Sequence, residues 1–205
     1  MNFLAHFYLA YGDEDRLVGQ FVADAIKGND YLEFEGNIRE GIKQHRFIDT
    51  TTDSHHGSSQ LRSLLRPKVG LLSPIAVDIL FDYALATRWQ EFHNLPLEKF
   101  AEQVYITLAK NNHFLPERMQ ITLHYMAKYD WLSGYQYKHG IINSLKGLSQ
   151  RVSRGEKLLA AIDMFDEIEN DIFENFDLVF KDLTDGVKTL ILDSNSTYLS
   201  PNHHY

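Results

Sequence analysis

The stretch GIKQHRFIDTTTDSHH, residues 41–56, places metal-ligand residue types where a core helix would carry leucines. His45, Asp49 and Asp53 are spaced four residues apart, so a helix would stack them along one face. Ile42 continues that face toward the N-terminus and marks it as apolar. A histidine and a carboxylate on a buried face need a partner, and the usual partners are a metal ion or a buried ion pair.

Length and composition place the chain among ordinary globular proteins. Its 205 residues are 44% hydrophobic and 23% charged, which is enough for one large domain with a substantial core. No apolar run reaches the roughly 18 residues of a membrane span. The opening MNFLAHFYLA lacks the basic start of a signal peptide and predicts a first helix. We therefore expect a cytoplasmic protein with no membrane partner.

The cysteine count and the net charge limit the possible metal ligands and binding partners. The chain has no cysteine, so disulfides and thiolate metal sites are excluded, and a metal would need imidazole and carboxylate ligands. The formal net charge of −8 argues against a nucleic-acid partner, which requires a basic surface.

Helix caps and helix breakers predict a succession of helices. Asp13 is a suitable N-cap for the second helix, and Ser73-Pro74 begins another. The predicted helices lie at about 3–10, 13–27, a segment that holds His45 and frays near 53, 58–65, 73–92, 96–111, 116–129, 135–153, and 156–192 as one helix or two joined near 182–186. No alternating pattern predicts a strand. We predict an all-α, single-domain helical bundle over 1–193 and a polar, mobile tail at 194–205.

Ligand-type residues lie in the apolar stripes of four predicted helices. They are His6, Asp24, His45 with Asp49, and Asp78 with Asp82. A helical bundle brings such stripes together, and bundle metal sites are built in this way. Because an unpaired buried charge costs several kcal/mol, a divalent metal would stabilise the cluster.

Each of these residues also has an explanation without a metal. His6 taken alone fits a satisfied core histidine better than a ligand. Asp24 is equally suited to an ion pair with Arg16 or Lys27.

The two remaining pairs favour a metal more clearly. His45 and Asp49 can pair with each other, but the nearby Asp53, His55 and His56 favour a metal site. Asp78 and Asp82 repel each other, and no basic residue lies between 73 and 87 to neutralise them. A carboxylate-rich oxygen and nitrogen ligand set suits Mn²⁺, Fe²⁺ or Mg²⁺, and such a site predicts a metal-assisted hydrolase.

Four blocks of the sequence resemble the bacterial acyl carrier protein phosphodiesterase family. The blocks are MNFLAH at the start, GQFVADAIKGN at 19–29, GIKQHRFIDTTTDSH at 41–55 and DILFDYALATRW at 78–89. The resemblance implies an HD-like helical enzyme, distantly related to the HD-type phosphohydrolases. It also implies removal of the 4′-phosphopantetheine group from holo-acyl carrier protein, with Mn²⁺ as the preferred metal.

The resemblance assigns roles to individual residues. The family pattern His-Arg-x-Ile-Asp matches at 45–49, and the implied metal ligands are Asp24, His45, Asp49 and Asp78. Two departures are present: Tyr83 stands where the pattern has a histidine, and no adjacent His-Asp pair occurs in the chain.

The remaining catalytic roles are hypotheses. We expect Asp82 or His6 to orient the attacking water or to shuttle a proton. Arg46 or Arg62 is expected to stabilise charge on the phosphoryl oxygens.

The implied partner is acidic, as is this chain, so docking requires clustered basic residues. Arg62 and Arg66, together with Lys68, form the first candidate cluster, and we assign Arg62 and Arg66 to partner binding. The second cluster comprises Lys138, Lys146, Arg151, Arg154 and Lys157. Ordinary solvated faces are the alternative. The competing functions are an HD-like nucleotide phosphohydrolase and a non-enzymatic helical binding module.

Overall fold

The computed structural model describes residues 1–10 and 12–199, and within them every regular element is helical. The α-helices are α1 Phe3–Tyr8, α2 Glu14–Val22, α3 Gly36–Ser54, α4 His56–Val69, α5 Ser73–Thr87, α6 Trp89–Phe92, α7 Leu97–Lys110, α8 Glu117–Lys128, α9 Trp131–Gly134, α10 Lys138–Ser149 and α11 Ala160–Leu199. Short 3-10 turns lie at Ala23–Ala25, Asp30–Glu33, Gly70–Leu72, Asn112–Phe114 and Gly155–Leu159. The predicted all-α class is confirmed.

Helices α2 and α3 cross at two glycines that let their backbones touch. A Cβ atom on Gly19 would lie 2.1 Å from the carbonyl oxygen of Ile38, and one on Gly41 would lie 2.3 Å from that of Arg16. Any side chain at either position would force the helices apart. The crossing fixes α2 against the N-terminal third of α3.

The central helix is α5, which is buried on nearly every side. It packs against α1, α4, α10 and α11. Its buried residues are Ser73, Ala76, Val77, Ile79, Leu80, Phe81, Asp82, Tyr83, Ala84, Leu85 and Ala86. The stretch His56–Thr87 contains an 18-residue window with a mean hydropathy of 1.6, long and apolar enough to cross a membrane, but 67% of that window is buried inside the protein. It is a core hairpin of two helices, α4 and α5, separated at Gly70.

The last helix, α11, is one continuous element that packs along α3, α4 and α5. Gly186, where two helices were an alternative, lies inside it, and a Cβ there would approach the ring of Phe47 to 2.7 Å. This glycine therefore serves close packing and is not a break. The helix continues past the predicted boundary at 193 to Leu199, and residues 200–205 of the predicted tail lie outside the described residues.

Several predicted helix bounds were wrong. Helix α4 begins earlier than 58 because the imidazole Nδ1 of His55 accepts a hydrogen bond from the backbone N–H of Gly57 at 3.0 Å. It also passes through Pro67 and ends two residues later at Val69, although proline lacks the backbone N–H of a helix interior. The predicted 73–92 helix is divided into α5 and α6, and the predicted 135–153 helix is shorter, forming α10, with the separate short helix α9 before it.

Candidate metal centre

A cleft of about 230 Å³ opens beside α1, α3 and α5. Its lining residues are Met1, Asn2, Phe3, His6, Asp24, His45, Asp49, Asp53 and Asp78. The cleft thus brings together all four metal ligands implied by the resemblance, which come from three separate parts of the chain, and adds His6.

Two imidazoles and one carboxylate converge at the floor of the cleft. Nε2 of His6 lies 3.2 Å from Oδ1 of Asp49, and Nε2 of His45 lies 3.1 Å from Oδ2 of the same carboxylate. The two rings stack with their centroids 4.0 Å apart. One ligand atom from each of the three residues falls within a 4.8 Å cluster, which is compact enough to hold one metal ion.

The environment of His6 favours the neutral ring that a metal needs. The ring is buried, and burial together with the neighbouring His45 lowers the pKa of His6 below its ordinary value. Its Nδ1 lies 2.9 Å from Oε1 of Gln20. Since that oxygen only accepts, Nδ1 carries the proton and Nε2 presents its lone pair to the cleft.

Asp49 stays ionised in this setting. Burial alone would raise the pKa of its carboxyl, but the hydrogen bond with His45 and the close approach of the His6 ring outweigh burial and hold the pKa well below its usual range. Nδ1 of His45 is buried and has no hydrogen-bond partner among the described residues. The donor set of two imidazoles and a carboxylate fits a divalent metal such as Mn²⁺.

Asp24 reaches the cleft from a 3-10 turn. Helix α2 was expected to run to about 27, but it ends at Val22, and the turn Ala23–Ala25 carries Asp24 toward α3. Its Oδ1 lies 3.8 Å from Nε2 of His45. The alternative partner Arg16 instead lies beside Asp13, with 3.7 Å between Nε and Oδ2.

Two further carboxylates line the cleft. Oδ1 of Asp78 accepts a hydrogen bond from the Met1 ammonium group at 2.8 Å. Asp53 lies in the last turn of α3, which remains helical to Ser54, and burial followed by the charge of Asp78 raises the pKa of Asp53. Asp53 was not predicted as a site residue, although its spacing of four residues from Asp49 was the signal for it.

Asp82 does not reach the cleft, and this corrects its predicted catalytic role. Its fully buried carboxylate accepts hydrogen bonds from the backbone N–H groups of Leu4, Ala5 and Asn2 at 2.7, 3.2 and 3.3 Å. Burial raises the pKa of Asp82 to about 7 despite these bonds. One turn beyond Asp78, α5 has passed beneath α1, so Asp82 holds the first turn of α1, which carries His6.

Two other residues singled out from the sequence also lie away from the cleft. The guanidinium of Arg46 lies 4.8 Å above the ring of Tyr31 and does not line the cleft, so its predicted contact with phosphoryl oxygens is corrected. Tyr83 is buried between α5 and α11, where its hydroxyl donates to Glu169. The departure from the family pattern at Tyr83 therefore falls in the core.

The predicted partner-binding arginines lie on α4. Arg62 borders the cleft: its Nη2 donates to the carbonyl oxygen of Asp53 at 2.8 Å, and its Nη1 lies 3.7 Å from that residue's Oδ1. Arg66 is exposed one turn further from the cleft. Sequence reasoning also missed Gln20, whose signal was its position one turn before Asp24 in the second family block.

Comparison with known proteins agrees with the resemblance. A family model described as acyl carrier protein phosphodiesterase matches residues 1–183. Curated proteins of that name include one from Photorhabdus laumondii subsp. laumondii, 30% identical over 183 residues that cover 88% of this chain and 89% of the relative. One from Pectobacterium atrosepticum is 32% identical over 181 residues, covering 88% and 92%. One from Klebsiella pneumoniae is 32% identical over 162 residues, covering 77% and 82%. No solved structure matches the chain.

Proposed function

This chain belongs to the acyl carrier protein phosphodiesterase family, and on that premise we propose that it is a metal-dependent hydrolase of holo-acyl carrier protein. The reaction would hydrolyse the phosphodiester that attaches 4′-phosphopantetheine, giving apo-acyl carrier protein. The observation that carries the metal dependence is the convergence of His6, His45 and Asp49 on one point of the cleft.

The residues in the cleft suggest how a metal would be held. His6, His45 and Asp49 would be the primary ligands, with Asp24 and Asp78 completing the set from the neighbouring walls. When bound, Mn²⁺, or Mg²⁺ or Fe²⁺ in its place, would supply positive charge for a phosphoryl oxygen and make a water molecule more acidic. His6 thus moves from a proposed proton shuttle to a proposed ligand.

Other residues of the chain would position a ligand, accept a proton or stabilise phosphoryl charge. Gln20 fixes the tautomer of His6, and Asp82 fixes the helix turn on which His6 lies. Asp53 faces the cleft without contacting the two imidazoles, so it is placed to accept a proton from water. Arg62, beside Asp53, would offer a guanidinium to the phosphoryl oxygens, the role predicted from the sequence for Arg46 or Arg62.

The expected setting is inferred from charge and burial. We propose that acyl carrier protein is the macromolecular partner, that nucleic acid and membranes are not partners, and that the protein acts in the cytoplasm. The net charge of −8 and the burial of the His56–Thr87 hairpin support these proposals.

The decisive experiment is incubation of the protein with holo-acyl carrier protein and Mn²⁺, followed by intact-protein mass spectrometry. We expect the carrier to lose the mass of phosphopantetheine, and chelation to stop the loss. The double variant His45→Ala/Asp78→Ala should be inactive, whereas the matched surface variant His56→Ala/Asp15→Ala should be active. An unchanged carrier mass, or full activity of the first variant, would overturn the proposal.

Hydrolysis of small phosphoesters and the melting temperature separate the two alternative functions from each other. A nucleotide phosphohydrolase would leave the carrier unchanged and consume small phosphoesters with Mn²⁺. A non-enzymatic module would be inactive on both, and its melting temperature would not respond to metal or to a chelator.

A further inference from the structure

Two segments of this acidic chain contain no acidic residue. The chain as a whole has 28 aspartates and glutamates and 20 lysines and arginines, yet residues 54–77 and 131–155 have neither aspartate nor glutamate. The first segment carries Arg62, Arg66 and Lys68, and the second carries Lys138, Lys146, Arg151 and Arg154. Each segment is therefore locally basic.

The fold brings these two segments together at one corner. Helix α4 and the turn Gly70–Leu72 both contact the turn Gly155–Leu159, which directly follows the second segment, and α10 packs against α5. The Lys157 side chain extends over the corner, since a Cβ atom on Gly70 would lie 3.8 Å from its Cδ and 4.0 Å from its Nζ. Lys157 therefore joins the cations of α4 on one surface.

An apolar residue stands at the tip of this corner. Leu71 is 82% exposed, more than any other large hydrophobic side chain among the described residues. Lys68 precedes it on α4, and Lys157 lies over its neighbour Gly70. A single exposed leucine is common on protein surfaces, so the significance of Leu71 comes from the cations that surround it.

The cations at this corner are not used for ion pairs inside the fold. Arg66, Lys68, Arg154 and Lys157 are exposed, and none forms a salt bridge within the described part of the chain. Lys138, by contrast, pairs with Asp166 and is excluded from the surface. These four positive charges remain available to an external acidic group.

The corner is also connected to the cleft. Arg62 bonds to Asp53 in the cleft wall, and Arg66 follows one turn later on α4. At a rise of about 1.5 Å per residue, Arg62 and Lys68 lie about 9 Å apart along the helix. A partner seated on the corner would thus reach the cleft with a short attached group.

We propose that this corner surface, defined as Leu71 with Arg66, Lys68, Arg154 and Lys157, docks an acidic surface of the carrier protein. The inference rests on the proposed function. An apolar side chain of the partner would cover Leu71 while its carboxylates pair with the surrounding cations. Since the net charge of −8 repels an acidic partner at long range, a local basic surface is required for productive encounter.

The test compares two triple variants that change the net charge equally. The docking variant is Arg66→Glu/Lys68→Glu/Lys157→Glu. The control is Lys110→Glu/Arg118→Glu/Lys128→Glu, which alters exposed cations of α7 and α8, a pair that contacts α2 and α9. Affinity for apo-acyl carrier protein is measured by fluorescence anisotropy, and hydrolysis of bis(4-nitrophenyl) phosphate with Mn²⁺ reports the cleft.

We expect the docking variant to bind the carrier on the order of tenfold to a hundredfold more weakly than the control variant does. Both should cleave the small diester at the same rate, and Leu71→Ala should weaken carrier binding severalfold. Equal carrier affinities of the two triple variants would overturn the proposal. So would loss of binding to vesicles containing phosphatidylglycerol with unchanged carrier binding, which would identify a lipid surface instead.

Failure of the proposed function gives a different pattern. A wild-type protein that binds the carrier at the corner but does not convert the holo form would refute the hydrolase proposal and leave the docking surface supported. A protein that converts the holo form but binds and converts it equally well in both triple variants would refute the docking surface alone.

Discussion

An aspartate in the cleft and an aspartate in the buried layer beneath it, where α5 meets the start of α1, have different roles. In the cleft, the Asp49 carboxylate is half exposed and meets only two imidazoles. In the layer beneath, the Asp82 carboxylate meets three backbone N–H groups and no solvent. A polar group becomes chemically available when the protein leaves part of its bonding capacity unused. A group whose bonds are all made within the fold serves structure.

The largest expected effect comes from a substitution in the cleft. Asp49→Asn keeps the side chain's shape but removes the charge that joins the two imidazoles, so kcat/KM for holo-acyl carrier protein should fall by about 10²- to 10³-fold. Mn²⁺ should also no longer raise the melting temperature. The exposed Asp15→Asn variant is the matched control, and retention of the Mn²⁺ response by Asp49→Asn would contradict the assignment of Asp49 as a ligand.

A smaller effect tests how the cleft is supported. Gln20→Leu removes the acceptor that fixes the His6 tautomer, and such changes cost about 10- to 100-fold in metal affinity or activity. Titration with Mn²⁺ should show weaker binding, and saturating Mn²⁺ should restore part of the activity. Gln20→Glu retains an acceptor oxygen and should lose less. If both variants titrate like the wild type, Gln20 does not position His6.

The layer beneath should respond in stability and in its dependence on pH. Because the pKa of Asp82 is raised from 3.8 to about 7, its contribution to stability is fully present below its unfolded pKa and is lost as the pH rises through about 7. Asp82→Asn cannot ionise, so its stability relative to the wild type should improve from pH 5 to pH 8. Urea unfolding with a chelator present measures this. Parallel pH profiles would contradict the assignment.

The smallest effect tests the departure from the family pattern. Tyr83→Phe removes one hydrogen bond to Glu169, at a cost of about 1 kcal/mol in stability. Activity should be unchanged because the residue lies between α5 and α11. Phe81→Leu, on the same helix, controls for general loosening of the core. A loss of kcat with unchanged stability would place Tyr83 in the catalytic machinery.

The parts of this molecule that the sequence made predictable are those with a local signal. Asp13 caps α2 through the backbone N–H of Arg16, as its residue type and position predicted. The prolines before α7 and α8 marked both helix starts. Helix α3 has one apolar face and one solvated face, so residue spacing alone predicted that His45 and Asp49 point inward.

The errors arose where no local signal existed. Helix α5 is buried on almost all sides, so it has no single apolar stripe, and spacing could not tell which of Asp78 and Asp82 faces the cleft. The corner surface joins residues more than eighty positions apart, so neither basic cluster predicted it alone. The early end of α2 depends on its contact with α3, which cannot be inferred from the α2 segment by itself.

The crossing of α2 and α3 determines where the ligands that follow it along each segment are placed. Asp24 stands five residues after Gly19, and His45 stands four after Gly41, while backbone contact at the two glycines prevents either helix from sliding. A residue inserted between Gly41 and His45 would rotate the downstream side chains of α3 by about 100° around the helix axis, and one inserted between Gly19 and Asp24 would displace the turn that carries Asp24. The number of residues in each interval is therefore constrained, whereas the side chains within it can change.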